Sequence, residues 1–176
     1  MSERLLVPPY YTDVEDEPPI VFLAGPIQGA PDWQSPTAER LLAAHDRLLV
    51  ASPRRTELDE NFNKRKQVEW ELDHLWHAMK LGGVAFWFAA QDHSLPYKSG
   101  RPYAQTSRVE IGAVSMAQRI DPTIPVWVGF EPDYTPNGGG SEEYIRLART
   151  WFVGVDEIYD SLDEMTEAIS SDIAAL

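Results

Sequence analysis

The feature that most constrains the fold of this 176-residue chain is a regular alternation of short apolar runs with segments of helical periodicity. Continuous apolar runs are typical of parallel strands that are buried on both faces of a sheet. The runs lie at 20–24, 48–53, 84–88 and 125–129, with a weaker one within 151–159. Alternating strands and helices predict an α/β domain, a flavodoxin-like (Rossmann-like) three-layer sandwich with a mostly parallel five-stranded sheet.

The helices between these runs are marked by periodicity and by capping residues. Ser35 and Pro36 predict a helix start with proline at the first helical position. A long helix is expected from about 61 to 80, with an apolar stripe formed by Val68, Leu72, Leu75 and Met79. Further helices are expected from Ser107, around 144–151, and from the capping box that joins Ser161 and Glu164.

The chain length fits one domain, and the local composition predicts where that domain begins. Residues 1–19 hold four prolines and an acidic cluster, which predicts an irregular acidic N-terminal arm, whereas 20–176 form a single domain. No apolar run reaches the roughly 20 residues that a membrane helix requires. The acidic N-terminal sequence does not resemble a signal peptide, so a cytoplasmic protein without membrane partners is expected.

Charge and residue usage exclude several kinds of chemistry. The net charge of −13 comes from the two ends of the chain, and argues against binding duplex nucleic acid. The chain has no cysteine, so thiol nucleophiles and disulfides are impossible. Four histidines, at 45, 74, 77 and 93, are not spaced as in known zinc motifs. We therefore expect no metal.

Glu110 is the leading catalytic candidate, because the ligand of an open parallel sheet lies beyond the carboxyl ends of its strands. It follows the third long strand and a polar loop, and Gly112 is expected to let another chain segment approach closely. The structural alternative is a capping box in which Glu110 bonds back to Ser107. Both roles can coexist, since a capped glutamate is fixed in orientation.

Glu71 is the second candidate acid. It lies one helical turn after Gln67 and is predicted at the border of the buried face, although a solvated carboxylate is the usual alternative. Glu69 and Asp73 remain competing acids on this helix. The neighbouring Trp70 could stack on a flat ring or cover the core.

Two further segments could contact a ligand. Gly25 and Pro26 match neither the dinucleotide fingerprint nor the P-loop, yet they would allow a ligand ring to lie close to the backbone. Arg54 and Arg55 could bind a phosphate or a carboxylate, or could form ordinary surface ion pairs.

Five short motifs together resemble the nucleoside 2-deoxyribosyltransferase-like family over about 20–130. They are 22–27 (FLAGPI), 53–55 (PRR), 67–71 (QVEWE), 86–88 (FWF) and 108–112 (RVEIG). The resemblance implies a flavodoxin-like fold, Glu110 as a nucleophile, and a base held between aromatic and apolar side chains. The chain departs from the family at Leu81-Gly82-Gly83, where an Ala-Asp pair is usual, which leaves Glu71 or Asp92 as the partner acid.

The resemblance also implies a function and a set of substrate contacts. The expected activity is cleavage or exchange of the N-glycosidic bond of a (deoxy)nucleoside or its 5′-monophosphate, and this chemistry requires no organic cofactor. The alternatives are a catalytically silent nucleotide-binding module and, less favoured, a hydrolase of a nicotinamide dinucleotide. A homo-oligomer in which one subunit closes the site of the next is expected. The expected substrate-binding residues are Gly25, Pro26, Ile27, Trp33, Arg54, Arg55, Gln67, Trp70, Phe88, Ser107 and Arg108, with Trp87 as a further candidate to cover the base.

Overall fold

Six parallel strands form one sheet in the computed structural model, which describes residues 3–11, 18–55, 63–97, 100, 102–134, 142, 150 and 157–175. The strands are β1 (Leu5–Leu6), β2 (Ile20–Ala24), β3 (Leu49–Ala51), β4 (Gly83–Phe88), β5 (Val126–Phe130) and β6 (Ile158–Tyr159). Their order across the sheet is β1-β3-β2-β4-β5-β6. The flavodoxin-like α/β architecture is confirmed, with six strands rather than the five predicted.

The additional strand lies inside the segment that the sequence predicts as an irregular arm. β1 pairs in parallel with β3, and Leu5 is opposite Val50 in the register. The side chain of Leu6 is only 2% exposed and belongs to the core. A strand of two residues is too short to show alternation in the sequence, so only its pairing with β3 reveals it.

Four helices connect or flank these strands in the described part of the chain. They are α1 (Gln34–Ala44), α2 (Lys64–Leu81), α3 (Gln105–Ile120) and α4 (Leu162–Ile173). α2 contacts β2 and β4, whereas α4 contacts α1 and β5. Right-handed crossovers place α1 and α4 on one face of the sheet, and α2 and α3 on the other. The predicted helix around 144–151 lies outside the described residues.

Two helix starts have a side-chain cap, of which the sequence predicts the one at Ser161, and the start of α1 differs from its prediction. The Asn63 side chain caps α2 by accepting from two backbone N–H groups, and Ser161 accepts from the N–H of Glu164 as predicted. Ser35, in contrast, lies inside α1, whose N-cap is Trp33. The Ser35 hydroxyl bonds the Asp32 carboxylate instead, so the predicted cap at Ser35 is wrong by two residues.

The buried face of α2 is rotated from the predicted stripe. Val68 is 40% exposed and Leu72 is 59% exposed, whereas Trp70 is fully buried. The indole of Trp70 stacks on the His74 ring, with 3.9 Å between ring centroids, and lies near Phe22 of β2. Burying this large aromatic surface determines which face of the helix contacts the sheet.

Gly82 and Gly83 join α2 to β4 where there is no room for a side chain. A Cβ atom at Gly82 would lie 2.2 Å from the carbonyl oxygen of Ile20, and one at Gly83 would lie 2.4 Å from the Trp127 ring. This tight packing is a physical reason for glycine at both positions. Within the described residues, no helix is both long and apolar enough to cross a bilayer.

Candidate functional site

Glu110 lies in the second turn of α3 rather than in its first. The helix begins at Gln105, after Ala104 in the left-handed conformation with φ 53°, and no side chain caps it. Ser107 is therefore inside the helix and 3% exposed, and the predicted capping box is wrong. The space beside Gly112 is open: an added Cβ would meet no atom within 4 Å, contrary to the close approach expected there.

The carboxyl group of Glu110 is electrostatically unusual. The pKa of Glu110 is raised from 4.5 to about 8. Burial of the carboxyl group is the larger cause, and the negative charge of Glu71 is the smaller one. The side chain as a whole is only partly buried. Near neutral pH Glu110 therefore keeps its proton, and the neighbouring negative charge favours that protonated state.

A chain of hydrogen bonds leads to Glu71 from the loop after β3. The Arg55 guanidinium donates through Nε to Gln67 Oε1 at 2.6 Å. The amide nitrogen of Gln67 donates to Glu71 Oε1 at 2.7 Å and to the carbonyl oxygen of Pro53 at 3.1 Å. Arg55, Gln67 and Glu71, three of the predicted site residues, are thus brought together.

The competing acids have other partners. Asp92 accepts from the backbone and hydroxyl of Ser94 in an exposed turn, and these bonds lower the pKa of Asp92. Glu69 pairs with Arg65, and Asp73 accepts from the Tyr11 hydroxyl. Among the described residues, Glu71 is the acid whose charge acts on Glu110.

Arg54 holds the loop that follows β2. Its guanidinium donates to Gln34 Oε1 and to the carbonyl oxygen of Pro31, both at 2.9 Å, and forms an ion pair with Asp32 at 3.2 Å. Burial lowers the pKa of Arg54, against the opposing effect of Asp32. These contacts give Arg54 a role in shaping the loop, which differs from the predicted contact with a ligand.

The same loop is packed closely around Trp33. The indole Nε1 of Trp33 donates to the carbonyl oxygen of Pro26, and the side chain is 3% exposed. A Cβ at Gly25 would lie 2.2 Å from the carbonyl oxygen of Trp87 and 2.7 Å from the Trp33 ring. Gly25 is thus required for the close approach of this loop to β4, while Ile27 remains partly exposed.

Two predicted ring-stacking residues belong to the core. Trp70 is 0% exposed and donates through Nε1 to the carbonyl oxygen of Tyr10. Phe88 is 2% exposed and stacks on Phe130 with 4.8 Å between centroids. In this conformation neither ring has a surface with which to cover a base, and Trp87, at 4% exposed, is equally enclosed.

Sequence reasoning missed an aromatic and acidic cluster at the carboxyl ends of β4 and β5. The Tyr103 hydroxyl donates to the carbonyl oxygen of Ala89, and its ring meets Tyr97 edge-on. Glu131 accepts from the backbone N–H of Ala90 at 2.6 Å. Arg108 donates to the carbonyl oxygen of Tyr103. The tyrosines of the 91–105 loop are visible in the sequence, but no sequence pattern indicates that they pack together.

A cavity of about 1240 Å³ lies at the opposite edge of the sheet. Its walls include Pro19, Leu48, Gly82 and Pro125, which directly precede four of the strands. Ligands of open parallel sheets bind beyond the carboxyl ends of the strands, which is the edge where Glu110 lies. The cavity lies at the amino ends, so it is not part of the site around Glu110.

The histidines form no metal site in the part of the chain that the structure describes. No group of three potential ligands from His, Asp and Glu lies together there. His74 is buried beneath Trp70, and its Nδ1 lies 2.8 Å from the carbonyl oxygen of that residue. Burial lowers the pKa of His74, which is consistent with a role in packing.

Comparison with known proteins supports the resemblance of the motifs. A family model described as nucleoside 2-deoxyribosyltransferase like matches residues 18–120, which is more than half of the chain. The match covers β2 through α3 and includes Gln67, Glu71 and Glu110. No curated protein matches the sequence significantly.

Proposed function

The chain belongs to the nucleoside 2-deoxyribosyltransferase-like family, and we propose that it cleaves or exchanges the N-glycosidic bond of a (deoxy)nucleoside or its 5′-monophosphate. The observation that carries this proposal is the electrostatic pairing of Glu110 with Glu71 at the carboxyl-end edge of the sheet. Two interacting carboxyl groups are the side chains that retaining glycosidic chemistry uses. The substrate is a small molecule, and no metal or organic cofactor is required.

The proposed reaction has two steps. A Glu110 oxygen bonds to the anomeric carbon as the bond from that carbon to the base breaks, and Glu71 gives its proton to the departing base. Water, or the nitrogen of a second base, then attacks the anomeric carbon and releases Glu110. Glu71 takes up the proton that the attacking group loses, which restores the pair.

The protonation state of the free protein fits this scheme after one proton shift. With its pKa raised to about 8, Glu110 is protonated near neutral pH. The reactive arrangement has the proton on Glu71 and the charge on Glu110. The positive charge that develops on the sugar in the transition state favours an ionised Glu110, so the proton shift is promoted as the bond to the base breaks.

The substrate is proposed to lie against the loop at Gly25, Pro26 and Ile27, and beside Ser107 and Arg108 at the start of α3. The loop position is supported by the contacts of Trp33 and Arg54, which fix its backbone. Arg54 and Arg55 both bond protein groups, so this pair gives no preference for a 5′-phosphate. Assays with both substrate classes distinguish a nucleoside from a monophosphate substrate.

The direct test is incubation of the full chain with deoxynucleosides and deoxynucleoside monophosphates, with and without a free acceptor base. Chromatography would detect released base or exchanged product, and mass spectrometry of the quenched protein would detect a glycosyl ester on Glu110. Glu110→Gln should abolish both signals. Release of base at the same rate by Glu110→Gln would rule out this nucleophile.

A catalytically silent nucleotide-binding module is the second candidate. The observation that favours it is the Gly82–Gly83 pair, which leaves no space for side chains where the resemblance implies an Ala-Asp pair. This hypothesis predicts that nucleotides raise the melting temperature without turnover. It also predicts the same rise in Glu110→Gln.

We propose that the protein forms a homo-oligomer through exposed apolar side chains of α2 and α3. Leu72 and Trp76 on α2 are 59% and 55% exposed, and Val109 and Ile120 on α3 are 70% and 84% exposed. Apolar side chains clustered on one surface commonly mark a protein interface. The cytoplasmic location stays a prediction from the sequence.

A further inference from the structure

The side-chain amide of Gln67 is fully engaged between three fixed groups. Its Oε1 accepts from Arg55, and its Nε2 donates to Pro53 and to Glu71. The side chain is partly buried, one helical turn before Glu71 on α2. An amide has one acceptor oxygen and two N–H donors, so these three bonds use each of its polar functions.

The orientation of this amide follows from its neighbours. A guanidinium can only donate, so the Gln67 oxygen must face Arg55. The carbonyl oxygen of Pro53 can only accept, so the nitrogen must face Pro53. The same nitrogen then presents its second N–H to Glu71 Oε1 at 2.7 Å. A flipped amide would lose the bonds to Arg55 and Pro53 together.

We propose that Gln67 is a positioning residue that fixes the Glu71 carboxyl group and directs a proton on that group to Oε2 rather than Oε1. An oxygen that accepts an N–H donor is best suited to be the carbonyl oxygen, so when Glu71 carries the proton, it carries it on Oε2. Gln67 thereby selects the oxygen from which a proton reaches the departing base. This inference rests on the proposed function, since it assigns a direction to the proton of that reaction.

Arg55 extends this arrangement to the end of β3. Its charged guanidinium polarises the amide of Gln67, which strengthens the N–H bond that Gln67 makes to Glu71. Arg55 also ties the loop after β3 to the first turns of α2. Its expected role is therefore indirect, acting through Gln67 on Glu71.

The test compares Gln67→Met with Arg65→Met in the full chain. Methionine keeps the length of glutamine without its donors or acceptor. Arg65 is the matched control, because it bonds Glu69 at the same i,i+4 spacing on the same helix, at 2.7 Å on the exposed surface. In Gln67→Met we expect kcat to fall about tenfold and KM to stay within about twofold, because orientation of a proton donor affects the chemical step.

The pH dependence separates positioning from a general loss of structure. Loss of a donor to an ionised carboxylate disfavours that charge, so the acid limb of the rate profile should move up by about one pH unit in Gln67→Met. In Arg55→Met the acid limb should move in the same direction by a smaller amount. This second variant tests the proposal even if Gln67→Met folds poorly. A profile in Gln67→Met and Arg55→Met equal to that of Arg65→Met would overturn the inference.

Carboxyl carbon NMR of the glutamate-labelled protein gives a readout that needs no turnover. The lower titration step of the Glu71 and Glu110 pair should rise in Gln67→Met and stay unchanged in Arg65→Met. A rise without turnover in the wild-type protein would support the positioning by Gln67 and reject the proposed reaction. Turnover in the wild type with an unchanged titration in Gln67→Met would reject the positioning alone.

Discussion

The carboxyl group of Glu71 on α2 lies near enough to Glu110 on α3 that its charge helps to raise the pKa of Glu110. The two side chains come from different helices on the same face of the sheet. Neither helix alone would perturb its carboxylate in this way. The pairing gives the fold a measurable dependence on pH.

Glu110→Gln should stabilise the protein in alkaline solution relative to wild type. The folded carboxyl group releases its proton near pH 8 and the unfolded one near 4.5, so the folded chain binds more protons between these values. Wild-type stability must then fall as pH rises through this window, whereas the neutral glutamine is unaffected. Urea unfolding at about pH 5 and about pH 9 should show an advantage of the variant that grows by up to about 4 kcal/mol. The exposed Glu39→Gln is the control, and a difference that does not change with pH would contradict the prediction.

Gly25→Ala should be strongly destabilising, and Gly112→Ala should be tolerated. A Cβ at Gly25 would lie 2.2 Å from a backbone oxygen, whereas one at Gly112 meets nothing within 4 Å. We expect a loss of about 3 kcal/mol or more for Gly25→Ala, and a gain of up to about 1 kcal/mol for Gly112→Ala from helix propensity. Equilibrium unfolding in urea measures both. Equal stabilities of the two variants would show that the loop after β2 can move away from β4.

Trp70→Phe should reduce stability rather than ligand affinity. The change removes the N–H that bonds Tyr10 and part of the surface stacked on His74. We expect a loss of about 2 kcal/mol, compared with little change for Trp76→Phe, since Trp76 is 55% exposed on the same helix. Chemical unfolding gives the stability, and calorimetric titration with a nucleoside monophosphate gives the affinity. Weaker binding by Trp70→Phe at unchanged stability would instead indicate a wall of the ligand site.

Arg54→Met should destabilise the loop between β2 and α1. The variant leaves Gln34, which is fully buried, and the loop carbonyl oxygens without their donor. Loss of a buried, charge-assisted donor costs about 2 to 3 kcal/mol. Hydrogen exchange followed by mass spectrometry should show faster exchange across 25–34, with the exposed Arg47→Met as control. Unchanged protection of this segment would mean that other contacts hold the loop.

Ile120→Glu should dissociate the proposed oligomer. Ile120 is 84% exposed on α3, and a charge placed in an apolar interface is costly unless it is paired. Light scattering after size exclusion should give a smaller mass for the variant than for wild type. A monomeric wild-type protein, or an unchanged mass in Ile120→Glu, would remove α3 from the interface. Ser171→Glu, at an exposed position on α4, adds the same charge away from α3 and is the control.

The strands could be predicted because the local sequence alone indicates that they are buried. β2 occupies Ile20–Ala24 as expected, and the other predicted strands are found with ends shifted by one or a few residues, except the weak fifth one, which is shorter. A run of apolar residues cannot be solvated on either face, so its strand character does not depend on distant contacts. The capping of α4 by Ser161 was predictable for the same reason, since donor and acceptor lie three residues apart.

Site geometry was less accessible, because it depends on which side chains compete for the interior. Val68 and Leu72 are apolar, yet packing of the bulky Trp70 near Phe22 leaves them on the exposed face of α2. This rotation leaves Gln67 and Glu71 partly buried, in reach of Arg55. Sequence spacing could nominate Glu71 but could not choose it over Glu69 or Asp73.

The sequence by itself determined the order of strands and helices, the parallel sheet and the edge at which Glu110 lies. Each of these follows from local patterns of burial and from the handedness of the connections. Only the tertiary structure decided that the charge of Glu71 acts on Glu110, that Arg54 holds a loop, and that Trp70 is core. Those outcomes depend on packing between segments distant in the chain, where small differences in buried area and hydrogen bonding select one arrangement among several that the sequence allows.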